Sequence, residues 1–196
     1  MPSHTTIVLP AFNEEEALPV VVNDIRSVLG PDADIIVVDD GSSDTTADVA
    51  RQLGCAVERH GTNRGKGAAI RTGVAAASGE IVIVMDADAT YPAATIPAMV
   101  ELLDDHDFVR AERSIDASNT PAINRLGNVL LGKAMTSLHG LDAGDYLSGL
   151  YGAHREVFER LGTEADGFDI EVEIGIKSQA NELSVATLPT DYRPRV

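Results

Sequence analysis

The chain is poor in basic residues, and it contains fewer lysines than arginines. Its 196 residues contain 15 lysines and arginines against 31 acids, which gives a formal net charge of −16. Only Lys66, Lys133 and Lys177 are lysines. Proteins that bind duplex nucleic acid use basic side chains to displace counterions from the phosphates. The composition therefore argues strongly against a nucleic-acid partner, and it is typical of the acidic, halophile-like surface that high salt screens.

Cysteine and long apolar runs are also scarce. The single Cys55 cannot form an internal disulfide. No basic leader precedes an apolar stretch, and no run approaches the roughly 20 residues of a membrane span. We therefore expect a soluble, cytoplasmic protein that works in peripheral contact with the inner face of the membrane. With 44% hydrophobic residues the chain can build one sizeable core, which predicts a single domain over residues 1–196.

Extended apolar segments alternate with helical patterns through the first half of the chain. Strands are predicted at residues 5–10, 34–40, 56–60, 80–86 and 107–113, with helices between them. The pattern predicts a three-layer, Rossmann-like α/β fold with a mostly parallel sheet and helices on both faces. Farther along, residues 121–140 and 168–180 have helical spacing, and residues 145–154 read as extended. Ligands of such sheets bind beyond the carboxyl ends of the strands.

The glycine-rich loops do not fit the common nucleotide-binding fingerprints. The turn after the first strand, PAFNEEE, contains no glycine, although a dinucleotide-binding turn requires G-x-G-x-x-G there. In GTNRGKG, Gly61 and Gly65 are too close for a P-loop, and Gly67 stands where that loop has Ser or Thr. Two interpretations remain open for this loop. It is a tight turn into a helix, or it binds a phosphate at the helix amino end near Arg64 or Lys66.

Two aspartates follow the fully apolar strand IVIVM. Asp86 and Asp88 are two residues apart, so in extended chain they point to the same side, and a second acidic pair, Asp39 and Asp40, ends another strand. Carboxylates this close repel unless a cation offsets them, and oxygen ligands suit Mg²⁺ or Mn²⁺. Such an ion would join the acidic protein to an anionic diphosphate. The alternative is that Asp88 caps the helix that Pro92 opens.

Four segments in this order, PAFNEE, IIVVDDGSSDTT, NRGKGAAIRTG and DADATYP, resemble the inverting glycosyltransferases of family two. Within that family the chain is most similar to the polyprenyl (dolichyl) phosphate mannose and glucose synthases. The narrower likeness rests on AERS with Arg113, NRLGN with Arg125, DYLSG with Asp145 and the final LPTDYRPR. The resemblance implies the A-type glycosyltransferase fold, with residues 1–92 binding the nucleotide sugar and residues from about 93 to 196 meeting the acceptor.

The resemblance also implies a site and its ligands. The expected donor is a UDP- or GDP-hexose, the expected acceptor a polyprenyl phosphate, and the expected cofactor Mg²⁺ or Mn²⁺ held by Asp86 and Asp88. Asp39 would hydrogen-bond the base, and Arg113, Arg125 and one of Arg193 or Arg195 would meet the phosphates of acceptor and donor. The expected catalytic residues are Asp86, Asp88, Arg113, Arg125 and Asp145. The expected donor-binding residues are Pro10, Phe12, Glu14, Asp39, Asp40, Lys66, Asp86 and Arg195. Thr90 stands where many relatives have Gln, which leaves a third protein ligand of the metal open.

The expected reaction is a single inverting displacement by the acceptor phosphate. A phosphate monoester is largely ionised at neutral pH and needs no general base. Two other functions stay open: transfer to a saccharide hydroxyl with Asp145 as base, and a non-catalytic nucleotide-sugar-binding subunit. The run from Leu126 to Leu141 would either line a lipid groove or form helical core. Glu171 and Glu173 cannot share a helix face, so we expect a structural role for Glu173 and leave open that Glu171 faces the cleft.

Overall fold

The computed structural model describes residues 4–113 and 147–195. Within them the chain forms seven strands. These are β1 (Thr5–Ala11), β2 (Asp34–Asp39), β3 (Ala56–Arg59), β4 (Ile81–Met85), β5 (Phe108–Arg113), β6 (Leu150–His154) and β7 (Val185–Thr190). The first five coincide with the predicted strands, and β6 lies in the segment that reads as extended. The closing segment SVATLPT, for which the sequence predicted no structure, supplies β7.

Six α-helices and one short 3₁₀ turn connect the described strands. They are α1 (Leu18–Leu29), α2 (Thr46–Gln52), α3 (Lys66–Ala76), the 3₁₀ turn Ala93–Thr95, α4 (Ile96–Leu102), α5 (Arg155–Leu161) and α6 (Ile170–Ala180). Helix α1 begins after the acidic run of residues 14–16, with Pro19 in its first turn, where a proline has no intrahelical bond to lose. The acids are thereby left in the loop that follows β1.

The sheet order is β3-β2-β1-β4-β6-β5-β7. Strand β6 runs antiparallel to both of its neighbours, and the other pairings are parallel. The prediction of a mostly parallel α/β sheet is confirmed. Successive strands from β1 step outward to β2 and β3, whereas β4 pairs with the other edge of β1. The chain therefore reverses direction across the sheet between β1 and β4, and such a reversal opens a crevice at the carboxyl ends of the strands.

Apolar layers cover both faces of the sheet. One layer packs α1, α2 and α4 against it, and the other packs α3, α5 and α6. All five residues of β4 are buried, as expected of a strand covered on both sides. A buried side chain such as Ile83 contributes about 2 kcal/mol to stability. Among the residues described, no helix combines the length and apolarity needed to cross a bilayer.

Candidate active site

A cleft of about 260 Å³ lies at the carboxyl ends of β1 and β4. The loop after β1 contributes Pro10, Phe12 and Glu14, and the loop after β4 contributes Asp86 and Asp88. Further lining residues are Asp40, Asn63, Gly65, Lys66, Phe168 and Arg195. The cleft occupies the crevice that the strand order creates. Seven of the eight residues expected to bind the donor line it, and Asp39 is the exception.

The two aspartates after β4 line this cleft together and are held in different ways. The backbone N–H of Asp86 donates to the carbonyl of Gly149, 2.9 Å away, at the start of β6. A methyl group at Gly149 would overlap the Asp86 carboxylate, so the glycine makes room for it. Oδ1 of Asp88 accepts hydrogen bonds from the N–H and the hydroxyl of Thr90, at 3.1 and 2.6 Å. Asp88 therefore closes a local turn and does not cap the next helix.

Lys66, the first residue of α3, connects the cleft to a buried acid. Its Nζ lies 2.6 Å from Oδ1 of Asp86 and 2.6 Å from Oε1 of Glu171. Burial disfavours the charged form of Lys66, but the two carboxylates outweigh burial and raise its pKa. For Glu171 burial outweighs the attraction of Lys66, so its pKa is raised as well. The site thus holds a cation beside Asp86, which relieves the repulsion between the two aspartates.

Glu14 and Arg195 also line the cleft, and they form an ion pair with each other. Burial is the largest effect on Glu14 and raises its pKa; Arg195 opposes this, and the charges of Asp88 and Asp86 add to the increase. The negative charges of the two aspartates therefore act on Glu14. A cation bound near these three carboxylates would offset their mutual repulsion.

The residues present fit a divalent ion that is shared with a ligand. Within residues 4–113 and 147–195, no three His, Cys, Asp or Glu side chains are grouped to hold a metal by themselves. Asp86 and Asp88 supply carboxylate oxygens, and the Thr90 hydroxyl is already bonded to Asp88. Magnesium and manganese commonly take one or two carboxylates and fill their remaining positions with water and phosphate oxygens. The donor set therefore suits Mg²⁺ or Mn²⁺ bound together with a diphosphate.

Comparison with known protein families shows which family this chain belongs to. A match to "Glycosyl transferase family 2" extends over residues 6–162, from the second residue of β1 to beyond the end of β6. The chain belongs to glycosyl transferase family 2. This membership confirms the family and the class of enzyme that the four motifs predicted, and it favours an enzyme over the non-catalytic subunit.

Relatives of this family 2 chain include two proteins of Haloferax volcanii. Glycosyltransferase AglJ is 32% identical over 99% of this chain and 64% of its own length, so the chain spans about two thirds of that relative. A dolichyl-phosphate hexose transferase is 30% identical over 96% of this chain and 82% of its own. Among solved structures, glucosyl-3-phosphoglycerate synthase from Mycobacterium tuberculosis in complex with Mn²⁺, UDP-glucose and phosphoglyceric acid matches with a TM-score of 0.80. It is 25% identical over 99% of this chain and 73% of its own, and the A-type fold is thereby confirmed.

The amino end of α3 is occupied in this family 2 domain. The carbonyl of Asp166 accepts hydrogen bonds from the N–H groups of Gly67 and Ala68, at 2.7 and 3.3 Å. Gly65 has a φ of 97°, and a Cβ there would overlap the same carbonyl. The N–H groups of Gly67 and Ala68 are therefore not available to a phosphate, which favours the interpretation of this loop as a tight turn into the helix. The glycines instead let the loop of residues 162–168 pack onto the helix, and Lys66 reaches the cleft through its side chain.

Asp39 does not present its carboxylate to the cleft. It is fully buried, its Oδ1 accepts the N–H of Ser42 at 2.9 Å, and its Oδ2 lies 3.0 Å from Nε of Arg59. The expected hydrogen bond from Asp39 to a nucleotide base has no support in this placement. The physical reason is that the turn after β2 needs an acceptor, and Asp39 supplies it.

Asp40 lines the cleft, but both of its carboxylate oxygens contact other groups of the protein. Oδ1 accepts the N–H of Arg64 at 2.9 Å and lies 2.6 Å from Nδ1 of His60, and Oδ2 accepts the N–H of Gly65 at 2.8 Å. Asp40 therefore ties β2 to the loop that leads into Lys66. These contacts fix the shape of this loop beside the cleft.

The expected phosphate-binding arginines fall in different places. Arg195 lines the cleft, whereas Arg193, two residues earlier, lies 3.7 Å from Asp24 outside it. Arg113 ends β5 with its guanidinium over the ring of Tyr192, 5.2 Å from the centroid, and it does not line the cleft that the described residues form. Arg125, Asp145 and the run from Leu126 to Leu141 lie outside the described residues.

Three residues that line the cleft or contact its lining side chains were missed or left undecided by sequence reasoning. Gly149 backs Asp86, Glu171 balances Lys66, and Phe168 lies at the cleft rim with 77% of its surface exposed and its ring 5.6 Å from Nζ of Lys66. The sequence EADGFD does indicate that Phe168 is exposed, because its neighbours are glycine and acidic residues. The other two depend on contacts between distant segments.

Proposed function

We propose that this family 2 domain transfers a hexose from a nucleotide diphosphate sugar to a polyprenyl phosphate and inverts the anomeric carbon. The observation that carries the proposal is the meeting of Asp86 and Asp88 with two basic side chains, Lys66 and Arg195, in one cleft at the carboxyl ends of β1 and β4. Acids alone would repel a diphosphate, and bases alone would not retain a metal. Their combination suits a metal-bound diphosphate.

The donor would bind with its diphosphate at the two aspartates. A bound Mg²⁺ or Mn²⁺ would supply positive charge to the leaving diphosphate. Lys66 is charged at neutral pH because its pKa is raised, and it can donate a hydrogen bond to a phosphate oxygen in the cleft. Arg195 also lines the cleft and can donate to a phosphate once its guanidinium leaves the Glu14 carboxylate. Phe12 is 44% exposed at the cleft and offers a face on which a base or ribose can stack.

The acceptor proposal is supported by the relatives. The 30% identical Haloferax volcanii protein is named for transfer of a hexose to dolichyl phosphate. An ionised phosphate is itself the nucleophile, and among the described residues that line the cleft no histidine is available as a general base. We propose that Arg113 and Arg125 hold the acceptor phosphate. Work at the inner face of the membrane, and a division into a donor half (1–92) and an acceptor half (93–196), belong to the same proposal.

Product analysis tests this function directly. The protein is incubated with radiolabelled UDP- and GDP-hexoses, Mg²⁺ or Mn²⁺, and a short-chain polyprenyl phosphate. We expect label in the organic phase that depends on the metal and on the lipid phosphate, and that is released by mild acid as a free sugar. Nucleotide binding with all of the label remaining in unreacted nucleotide sugar would contradict transferase activity.

Transfer to a water-soluble acceptor is the second candidate. It is favoured by the solved neighbour, whose structure contains Mn²⁺, UDP-glucose and phosphoglyceric acid. That compound contains a phosphate and a hydroxyl, so the same cleft would need a base for the hydroxyl, and Asp145 is the residue proposed for it. Adding 3-phosphoglycerate or a saccharide in place of the lipid separates the two candidates, because label would then appear in a water-soluble glycoside that chromatography resolves from the unreacted nucleotide sugar.

A further inference from the structure

Glu171 places a buried carboxylate directly beside Lys66. It lies in the first turn of α6, its side chain is only 5% exposed, and its Oε1 is 2.6 Å from Nζ of Lys66. Glu171 does not line the cleft, whereas Lys66 and Asp86 do. Any effect of Glu171 on the reaction must therefore pass through Lys66 or through the electric field.

Lys66 divides its charge between two carboxylates at equal distances. An ammonium has three N–H donors, and contacts with Asp86 and Glu171 account for two of them, which leaves one for a ligand in the cleft. Without Glu171, Asp86 would be the single counter-charge of a largely buried cation. Lysine and a divalent ion would then compete for the same carboxylate.

The surroundings make this pairing strong. Ile170 and Ile174 of α6 belong to the buried apolar cluster on this face of the sheet, together with Tyr151. Tyr151 stays a neutral phenol because burial, and then the negative charges of Glu171 and Asp86, raise its pKa. Charges interact more strongly in such a poorly hydrated setting than in water. The balance between Lys66 and its two partners therefore decides how much negative charge Asp86 offers.

We propose that Glu171 is a positioning residue that draws the charge of Lys66 away from Asp86, so that Asp86 remains able to bind a divalent ion together with the donor diphosphate. This inference rests on the proposed function. It assigns to the start of α6 a role in donor binding, although no group of that helix reaches the cleft as a ligand. If this role is correct, Glu171 affects the affinity for the metal only when Lys66 is present.

A double-mutant cycle measures this coupling. The affinity for Mn²⁺ in the presence of UDP is determined, by the EPR signal of free Mn²⁺ and by calorimetry, for wild type, Glu171→Gln, Lys66→Met and the double variant. We expect Glu171→Gln to weaken Mn²⁺ binding about tenfold in the wild-type background. In the Lys66→Met background the same change should alter it by less than about twofold.

Each contrary result has a definite meaning. Unchanged affinity in the single variant would overturn the inference, and so would a tenfold loss in both backgrounds, because that loss would be a direct field effect. Absence of UDP and Mn²⁺ binding by the wild-type protein would overturn the proposed function, and the inference with it. Should Glu171→Gln fail to fold, Glu171→Asp replaces it, since it keeps the charge but withdraws it from Lys66. We expect about threefold weaker binding from that variant, and unchanged affinity would again refute the role.

Glu173→Gln is the matched control on the same helix. Its carboxylate accepts the N–H groups of Glu164 and Ala165 and lies 2.8 Å from Nζ of Lys177, away from the cleft. The variant loses a charge and an ion pair as Glu171→Gln does. It should lower thermal stability and leave the Mn²⁺ affinity unchanged, which separates loss of stability from loss of positioning.

Discussion

The ammonium of Lys66 lies 2.6 Å from Oδ1 of Asp86, so the first aspartate of the DADATYP motif is paired with a cation of the chain itself. The two residues belong to different elements, the first turn of α3 and the end of β4. The positive charge of Lys66 offsets the repulsion between the neighbouring carboxylates of Asp86 and Asp88. A divalent ion bound at Asp86 would therefore have to share that carboxylate with Lys66.

Replacing Asp88 by Asn should abolish metal-dependent binding of a nucleoside diphosphate without unfolding the domain. The amide oxygen can still accept both hydrogen bonds from Thr90, so the turn is kept, but the anionic ligand is lost. We expect affinity for UDP with Mn²⁺ to fall at least about tenfold. Asp44→Asn is a close control because Asp44 accepts the same two bonds from Thr46 outside this cleft. Calorimetry should show a loss only for Asp88→Asn, and equal affinities would remove Asp88 from the metal site.

Replacing Arg195 by Gln should weaken nucleotide diphosphate binding about tenfold, since a charge-assisted contact to phosphate is lost. Arg193→Gln is the control, because that side chain lies near Asp24 and its removal should change affinity less than about twofold. A thermal-shift titration with UDP and Mn²⁺ measures both. If the two variants behaved alike, Arg195 would have no specific role in the cleft.

Gly149→Ala should impair catalysis through Asp86. The added methyl group would overlap the Asp86 carboxylate, which must then move away from its place in the cleft. We expect turnover to fall at least about tenfold, because displacements of this size disrupt reacting geometry. Gly61→Ala introduces the same group into open space and should keep full turnover. Normal activity of Gly149→Ala would show that the position of Asp86 is not critical.

Glu173→Gln should destabilise the domain at neutral pH by roughly 1 kcal/mol. Burial opposes ionisation of Glu173, but Lys177 and the N–H groups of residues 164 and 165 outweigh it and lower the pKa below the ordinary 4.5. A lowered pKa stabilises the fold above the unfolded value, and this contribution disappears as pH falls through the folded value. Urea unfolding should therefore show a difference from wild type at pH 7 that shrinks below pH 4.5. A constant difference across this range would exclude the charge as its source.

Much of this protein follows from local sequence patterns. The apolar runs that became β1 to β5 are readable because side-chain periodicity and burial are properties of short segments. The rule that ligands bind at the carboxyl ends of parallel strands predicted a ligand site at Asp86 and Asp88. The family resemblance added Phe12 and Glu14, and all four residues line one cleft in the structure. The metal-binding assignment itself remains a prediction, which the Asp88 experiment tests.

The pairing of charges was decided by the tertiary structure alone. With 31 acids and 15 lysines and arginines, the sequence does not indicate that Lys66 meets Glu171, that Arg195 and not Arg193 enters the cleft, or that a carbonyl of Asp166 occupies the amino end of α3. Each of these contacts joins segments far apart in the chain. Their partners are chosen by how helices and loops pack over the sheet, and charge or hydrogen-bonding capacity alone does not distinguish one acid from another.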